Sequence, residues 1–194
     1  VASFKAEAEM LRGLRHEHIV PFVGVVVSAA NNEWLHIVTP YFADGTLQDL
    51  LYLPKYERLR TRTSAVGAAR SLPLRDQLVA GEGLFSALEY LASRRMVHRD
   101  VKPANILIVL SRVVANGGAQ RLSKVALTDF GESKGLEGLT TRGRAATAAG
   151  TPLYAAPEMA DDQEQKGPSA DVFSAGVVLL EMSTGRRPQP GPQH

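Results

Sequence analysis

Cysteine is absent from the 194 residues, which excludes disulfide frameworks and zinc sites built on thiolates and is typical of a reducing compartment. Long apolar runs are absent too, since none approaches the roughly 18 residues of a membrane span. The first residues also lack a secretory pattern. We therefore predict a soluble, cytoplasmic segment without a membrane span, and the cytoplasmic part of a membrane receptor is the alternative.

Net charge and aromatic residues are also scarce, at +2 and 6%. Surfaces that bind nucleic acids usually carry a basic stripe, often interleaved with aromatic side chains, and no such stripe occurs in this sequence. We therefore predict no nucleic-acid partner. The length is sufficient for one well-buried core.

Reactive side chains are concentrated in one stretch, which runs from His98 to Ile108 and reads HRDVKPANILI. Apolar residues flank it on both sides, which predicts a rigid polar turn held between two buried strands. The turn presents a carboxylate, a cation and a neutral oxygen ligand, at Asp100, Lys102 and Asn105. Transfer of a phosphoryl group to a hydroxyl requires these parts.

Four motifs resemble those of a known family and occur in its order. HRDVKPAN resembles the catalytic loop of eukaryotic protein kinases, and the TDFG sequence at 128–131 resembles their metal-binding segment. GTPLYAAPE at 150–158 and DVFSAG at 171–176 are similar to later kinase motifs. The chain is therefore identified as a member of the eukaryotic protein kinase family, of the Ser/Thr type, with a catalytic domain that we expect to be incomplete.

The resemblance implies an α+β, protein-kinase-like fold, mostly the helical C-lobe with a remnant of the N-lobe. Residues 1–42 would form part of the N-lobe and the hinge, and residues 43–194 the C-lobe through the family's helix F. Segments at about 53–71 and 111–123 exceed the family's usual lengths and are predicted insertions. The first is rich in basic and small residues, so we expect a solvated surface loop with poor order.

Apolar periodicity predicts the regular elements of both parts. In the first part, an amphipathic helix at 3–16 resembles the family's helix C, and segments 22–28 and 34–39 form a predicted hairpin. A short helix is predicted to begin at Leu47. In the second part we predict helices at 72–95 and 171–182, an end of the latter at Gly185, an extended hairpin with its stem near Val109 and Val125, and core positions at Leu78, Leu84, Leu88 and Leu91.

By resemblance, the catalytic residues are Asp100, Lys102 and Asn105. Asp100 would orient or deprotonate the substrate hydroxyl, and Lys102 would neutralise charge on the transferring phosphate. Asn105 and Asp129 would hold magnesium, which prefers oxygen ligands and usually keeps several waters. ATP and Mg²⁺ are the cofactors that this implies.

The nucleotide site is implied by resemblance at the hinge and at helix C. Thr39 would be the gatekeeper, Tyr41 and Phe42 would lie at the adenine edge, and Leu107 beneath the ring. Glu7 matches the glutamate that pairs with a strand lysine on the ATP phosphates. That lysine and a glycine-rich loop would precede helix C and have no counterpart in these residues, so we expect little phosphotransfer from this segment alone.

Regulatory and structural roles also follow from the resemblance. Residues 129–158 would be an activation loop, phosphorylated at Thr147 by an upstream kinase or by autophosphorylation in trans, with Arg99 pairing with the phosphate. Thr140 and Thr141 are weaker candidates for this modification. His98 and Phe130 are further regulatory candidates, and Glu158 and Asp171 are candidates for structural roles.

The expected substrate is a protein with a Ser or Thr hydroxyl, because Lys102 and Thr151 follow the Ser/Thr pattern of the family. The stretch LLEMSTGRRP at 179–188 resembles plant receptor-like and related cytosolic kinases. A non-catalytic, kinase-like binding module is the main alternative. A basic module that binds an acidic partner through residues 55–70 is a third alternative.

Overall fold

The computed structural model describes residues 2–28, 34–62, 70–113, 119–135, 153–160 and 167–189. Its four α-helices are α1 (Ala2–Gly13), α2 (Leu47–Tyr52), α3 (Leu74–Ser93) and α4 (Pro168–Thr184). Its eight strands are β1 (Gly24–Val27), β2 (Trp34–Val38), β3 (Thr61–Arg62), β4 (Arg70–Ser71), β5 (Met96–Val97), β6 (Ile106–Val113), β7 (Ala119–Leu127) and β8 (Lys134–Gly135). Short 3₁₀ helices span Pro54–Leu59, Pro103–Asn105 and Pro157–Ala160. Within these ranges no helix has the length and apolarity to cross a bilayer.

Strands pair in four two-stranded antiparallel sheets, β1 with β2, β3 with β4, β5 with β8, and β6 with β7. The predicted N-terminal helix and the hairpin that follows it are confirmed as α1 and β1–β2. The short helix that begins at Leu47 is confirmed as α2. Thr46 caps α2, because its side chain accepts the Asp49 N–H and the Asp49 carboxylate accepts the Thr46 N–H. The reciprocal bonds satisfy two donors that a helix start leaves unpaired.

The core lies between α3, α4 and the β6–β7 hairpin. Leu84, Leu88 and Leu91 are buried along one face of α3, as predicted. Leu78 was predicted to join them and is 64% exposed, so that prediction is wrong. The reason is helical phase, since six residues at about 100° each place Leu78 about 120° away from Leu84.

Helix α4 is apolar over most of its circumference, and only one side of it is buried, since Val172, Phe173 and Leu180 are exposed. Ala175, Val178 and Met182 are fully buried in it. Its predicted end at Gly185 is confirmed, since this residue adopts a left-handed conformation with φ of 67° and its N–H donates to the Glu181 carbonyl. Any side chain at Gly185 would also collide with the Arg70 backbone, 2.4 Å from the position of a Cβ.

The segment at about 53–71, which we predict to be an insertion, is more regular than we expected in its described parts. It forms the 3₁₀ helix Pro54–Leu59 and the paired strands β3 and β4, and Tyr56 is buried. The Arg60 guanidinium turns inward and donates to the Leu51 and Leu53 carbonyls at the end of α2. The prediction of poor order is therefore wrong for this described part. The Arg60 guanidinium binds carbonyl groups at the end of a helix instead of pointing into water. Residues 63–69 lie outside the described part.

The predicted extended hairpin is confirmed as β6–β7, and the described ends of the segment 111–123, the second predicted insertion, continue its ladder. Pairing runs from Ile106 opposite Leu127 to Val113 opposite Ala119, with one register shift between Val109 and Leu110. Because the additional residues lie at the far end of the ladder, they leave its base intact. There the Thr128 N–H donates to the Asn105 carbonyl at 3.0 Å. The TDFG segment therefore remains beside the HRDVKPAN turn, which we call the catalytic turn after its predicted role.

Candidate active site

The HRDVKPAN turn is fixed to the start of α4 by one buried carboxylate. Asp171 lies in the first turn of the helix and is 3% exposed. Its two oxygens accept the backbone N–H groups of His98, at 2.7 Å, and Arg99, at 2.8 Å. Burial raises the pKa of Asp171, and the two N–H bonds oppose part of that effect. The bonds also hold Arg99 in a left-handed conformation, with φ of 73°, that a non-glycine residue rarely adopts.

His98 connects the turn to the TDFG segment through a fully buried ring. Nε2 lies 3.0 Å from the Thr128 carbonyl, and Nδ1 lies 3.3 Å from the Asp100 backbone nitrogen. A carbonyl needs a donor and an N–H needs an acceptor, so the ring is neutral and carries its proton on Nε2. Burial lowers the pKa of His98, in agreement with this tautomer. The Phe130 ring meets His98 edge-on, with centroids 4.9 Å apart.

The three candidate catalytic side chains are in direct contact. Asp100 Oδ2 accepts hydrogen bonds from Lys102 Nζ at 2.7 Å and from Asn105 Nδ2 at 2.8 Å. Nδ2 also donates to the Asp100 carbonyl at 2.9 Å. Because the nitrogen of the Asn105 amide faces Asp100, its oxygen points the other way, as a ligand for a hard cation would.

Asp129 and Glu7 bring two carboxylates to the same place. Asp129 adopts a left-handed conformation, with φ of 63°, between Thr128 and the buried Phe130, and its side chain is exposed. Asp129 Oδ1 and Glu7 Oε2 lie 3.5 and 3.8 Å from the position that a Cβ on Gly131 would occupy. Burial and the charge of Asp129 raise the pKa of Glu7, while a hydrogen bond from the Phe130 N–H lowers it. Two carboxylates in such proximity favour a bound cation.

The donor set fits magnesium better than a softer metal. The two predicted ligands are the Asn105 amide oxygen and the Asp129 carboxylate, and magnesium is held by few protein oxygens together with phosphates and water. Across the described ranges, no group of three or more His, Cys, Asp or Glu residues could hold a metal by itself.

The predicted adenine-site residues occupy different environments. Phe42 and Leu107 are half-buried and pack against the core. The segment directly after Phe42 is held to β6, because the Ile108 N–H donates to the Gly45 carbonyl at 3.0 Å. Thr39 is exposed, and Tyr41 is 90% exposed. Phe42 and Leu107 therefore contribute to the edge of the core, whereas Thr39 and Tyr41 lie outside it.

The predicted phosphosites Thr140, Thr141 and Thr147, together with Thr151, lie outside the described residues. Arg99, their predicted partner, has a buried Nε that meets no acceptor within the described part of the chain. Glu158 lies in the 3₁₀ helix Pro157–Ala160 and is half-buried.

Comparison with known proteins identifies the family. Residues 2–194 match the protein kinase domain. The chain belongs to the protein kinase family. The protein-kinase-like fold that the motifs implied is confirmed, and the relatives that the chain resembles include serine/threonine-protein kinases.

Three relatives show the extent of the similarity. The serine/threonine-protein kinase ATG1 of Gibberella zeae is 33% identical, over 94% of this chain and 21% of the relative. The atg1 kinase of Schizosaccharomyces pombe is 31% identical, over 99% of this chain and 24% of the relative. A putative serine/threonine-protein kinase/receptor of Acanthamoeba polyphaga mimivirus is 33% identical, over 95% of the chain and 10% of the relative. The chain thus spans about a fifth to a quarter of the length of these two fungal relatives.

The structure also reveals residues that the motifs did not indicate. Glu181 of this kinase is 1% exposed and accepts hydrogen bonds from the hydroxyls of Tyr52 and Tyr154. The available signal was helical phase, because Glu181 follows Val178 by three residues on the apolar face of α4. The two tyrosines could not have been found in this way, since they are distant in the sequence.

Proposed function

We propose that this chain is the catalytic part of a Ser/Thr protein kinase that transfers the γ-phosphate of ATP to a hydroxyl of a protein. The observation that carries the proposal is the arrangement at Asp100, whose carboxylate is held by Lys102 and Asn105 on a turn anchored to Asp171. Phosphoryl transfer depends mainly on positioning and charge stabilisation, and a rigid turn supplies both.

Asp100 performs the proton step in this proposal. Its Oδ2 is engaged by Lys102 and Asn105, so Oδ1 is the atom that accepts the hydrogen of the substrate hydroxyl. The hydroxyl oxygen then bonds to the γ-phosphorus, its proton passes to Asp100, and the bond from the γ-phosphorus to the bridging oxygen breaks, so that ADP leaves. The Lys102 ammonium group compensates the charge of the Asp100 carboxylate. Because the phosphate is transferred beside Asp100 in this proposal, Lys102 would also neutralise charge on that phosphate.

Asn105 and Asp129 would hold Mg²⁺, which supplies charge neutralisation and orients the phosphates. Glu7 lies against Asp129 and has a raised pKa, so a cationic group between the two carboxylates would relieve their repulsion. In the family that cation is the strand lysine, which has no counterpart among these residues. We therefore propose that residues 1–42 form only part of an N-lobe, and that these 194 residues alone transfer little phosphate.

The Ser/Thr preference rests on Lys102 and Thr151 and on the similarity to serine/threonine-protein kinases. The protein substrate and a cytoplasmic location belong to the same proposal. The non-catalytic alternative is less favoured, because binding alone gives no chemical reason for Asp100 and Asn105 to form this hydrogen-bonded group.

Regulation by phosphorylation at Thr147 is supported by Arg99. Its buried Nε has no acceptor among the described residues, and a planar guanidinium binds a phosphate through two parallel hydrogen bonds. Mass analysis of phosphopeptides from an active preparation of the full-length protein tests this. Unmodified Thr147 in fully active enzyme would contradict the regulatory role and leave the catalytic proposal standing.

The decisive experiment measures phosphate transfer from ATP to a Ser/Thr protein substrate by the full-length protein that contains this chain. Asp100→Asn keeps the size and hydrogen bonds of the side chain and removes the proton acceptor, so we expect a loss of about 100-fold or more in kcat. Glu9→Gln, an exposed change on α1, is the matched control and should retain activity. Unchanged activity in Asp100→Asn would refute the assignment.

A further inference from the structure

The most deeply buried acidic side chain in the described structure lies outside the catalytic turn. Glu181 is 1% exposed and sits on α4, ten residues after Asp171. Burying a carboxylate is costly unless hydrogen bonds compensate for the lost water. The side chains that donate hydrogen bonds to Glu181 therefore indicate its role.

Glu181 joins three separate segments of the chain. Tyr52, the last residue of α2, donates its hydroxyl to Oε1, and Tyr154 donates its hydroxyl to Oε2 at 2.7 Å. Burial is the main cause that raises the pKa of both tyrosines, and their hydrogen bonds to Glu181 contribute. They therefore remain neutral donors at neutral pH. The Arg187 guanidinium lies 4.5 Å from the centre of the Tyr52 ring and covers it.

The position of Tyr154 gives this cluster its significance. Tyr154 belongs to the segment 153–160, which includes the end of the predicted activation loop and precedes α4. The same helix holds the catalytic turn through Asp171, about 15 Å along its axis at about 1.5 Å per residue. Helix α4 therefore fixes the catalytic turn at one end and the Tyr154 segment at the other.

We propose that Tyr52 is a positioning residue, which acts through Glu181 on Tyr154 and so fixes the segment 153–156 relative to Asp100. Tyr52 holds one oxygen of the carboxylate and thereby sets the rotamer in which the other oxygen receives Tyr154. Without the Tyr52 hydroxyl, the Glu181 side chain can change rotamer. The hydrogen bond that holds Tyr154 in place is then weakened. The coupling between Tyr52 and Tyr154 does not depend on the proposed function. Its expected effect on the binding of a protein substrate, tested below, does rest on that function.

The first test is hydrogen exchange of the full-length protein, followed by mass spectrometry of peptides that cover 153–160. Tyr52→Phe removes only the hydroxyl and should accelerate exchange in this segment by about tenfold, since a buried hydrogen bond to a charged group is lost. Tyr56→Phe is the matched control, because the Tyr56 hydroxyl is also buried near α2 but donates to the Asp44 carbonyl. It should leave exchange at 153–160 unchanged. Equal exchange in the two variants would overturn the proposal.

The second test separates positioning from general destabilisation. Tyr52→Phe and Tyr154→Phe should raise the KM for a protein substrate severalfold while kcat and the KM for ATP change less than about twofold. The double variant should be less impaired than the sum of the single variants, because both act on one carboxylate. Parallel loss of kcat and of affinity for ATP would overturn the positioning role.

The two proposals can fail separately. If the wild-type protein transfers no phosphate while Tyr52→Phe still loosens 153–160 selectively, the kinase assignment fails and the coupling through Glu181 stands. If the protein is an active kinase and the segment does not respond to Tyr52, the coupling fails alone.

Discussion

At the scale of single residues, the site is held together by buried polar groups whose partners come from distant parts of the sequence. Asp171 binds two backbone N–H groups of the catalytic turn, and His98 bridges that turn to Thr128. Each bond satisfies a group that would otherwise be buried without a partner, which costs about 1–3 kcal/mol. These residues thus stabilise the fold and orient Asp100 together.

His98 makes the stability of the protein depend on pH. Burial lowers its pKa from the ordinary 6.5, so below pH 6.5 the unfolded chain binds a proton that the folded state does not. The free energy of unfolding should therefore fall as the pH is lowered from 6.5, by up to about 1.4 kcal/mol per pH unit for one proton. Urea unfolding at pH 7.5, 6.5 and 5.5 measures this slope.

His98→Asn removes the titrating ring. It should therefore reduce the dependence of the unfolding free energy on pH by up to about 1.4 kcal/mol per pH unit, the contribution of one proton. His36→Gln, a change at an exposed position, is the control and should keep the wild-type slope. His16, whose pKa is also lowered by burial, would account for the part that remains. An identical slope in wild type and His98→Asn would contradict the neutral, buried tautomer.

Glu7 should show a conflict between stability and activity. Its pKa is raised by burial and by Asp129, so protonation of its carboxyl favours the folded state, and this contribution is lost as the pH rises through the folded pKa. At pH 7.5 Glu7→Gln removes the charge and keeps an acceptor for the Phe130 N–H. We expect an equal or higher Tm together with reduced phosphotransfer.

Thermal unfolding and kinase assays of the full-length protein test this conflict, with Glu9→Gln as a control on the exposed side of α1. A Tm clearly lower in Glu7→Gln than in Glu9→Gln would show that the Glu7 charge stabilises the fold instead.

At the scale of elements, α3 and the turn after α1 approach each other so closely that one helical glycine is required. A Cβ at Gly83 would lie 2.6 Å from His18 Nδ1 and 2.7 Å from Val125 Cγ2. His18 itself is fixed, since its Nδ1 lies 2.8 Å from the Val125 carbonyl. Gly83 therefore permits the contact between α3, β7 and the turn that ends α1.

Gly83→Ala should destabilise the protein by about 1–3 kcal/mol, because the added methyl group forces packed neighbours to move. Gly81→Ala is the matched control in the same helix, since the nearest atom to its Cβ is Leu179 Cδ2 at 3.4 Å. There the gain in helix propensity, about 0.5–1 kcal/mol, should leave stability unchanged or raised. Urea unfolding of both variants compares them, and equal effects would contradict the packing argument.

Several elements were predictable from the sequence, because helix periodicity and turn signals act over a few residues. Helices α1, α2, α3 and α4 and the two long hairpins occur where they were predicted. Predictions failed where the outcome depended on distant contacts. The stretch around Tyr56 and Arg60 was expected to be solvated, but it packs against α2 and Asp44.

At the scale of the whole molecule, the proposed site joins residues separated by more than a hundred positions. Glu7 lies beside Asp129. Asp129 follows β7, and β7 pairs with β6, which begins directly after Asn105. A ligand that bridges such parts binds only the folded state and therefore stabilises it.

Mg²⁺ and ATP together should raise the Tm of the full-length protein, and ligand at 100 times its Kd contributes about 2.7 kcal/mol. Asp129→Asn removes the charged metal ligand and should lose most of the magnesium-dependent part of this shift. Glu132→Gln, an exposed change three residues later, is the control. An equal shift with EDTA in place of Mg²⁺, or an undiminished shift in Asp129→Asn, would contradict the metal assignment.

The sequence by itself determined the reactive groups and their spacing along the chain, because Asp100, Lys102 and Asn105 act within one short turn. It also determined the apolar stripes that predict the helices. Only the tertiary structure decided the protonated nitrogen of His98, the burial of Glu181 between Tyr52 and Tyr154, and the approach of Glu7 to Asp129. The physical reason is that solvation, hydrogen-bond partners and pKa shifts depend on neighbours in space, and here those neighbours lie tens of residues apart or more in the sequence.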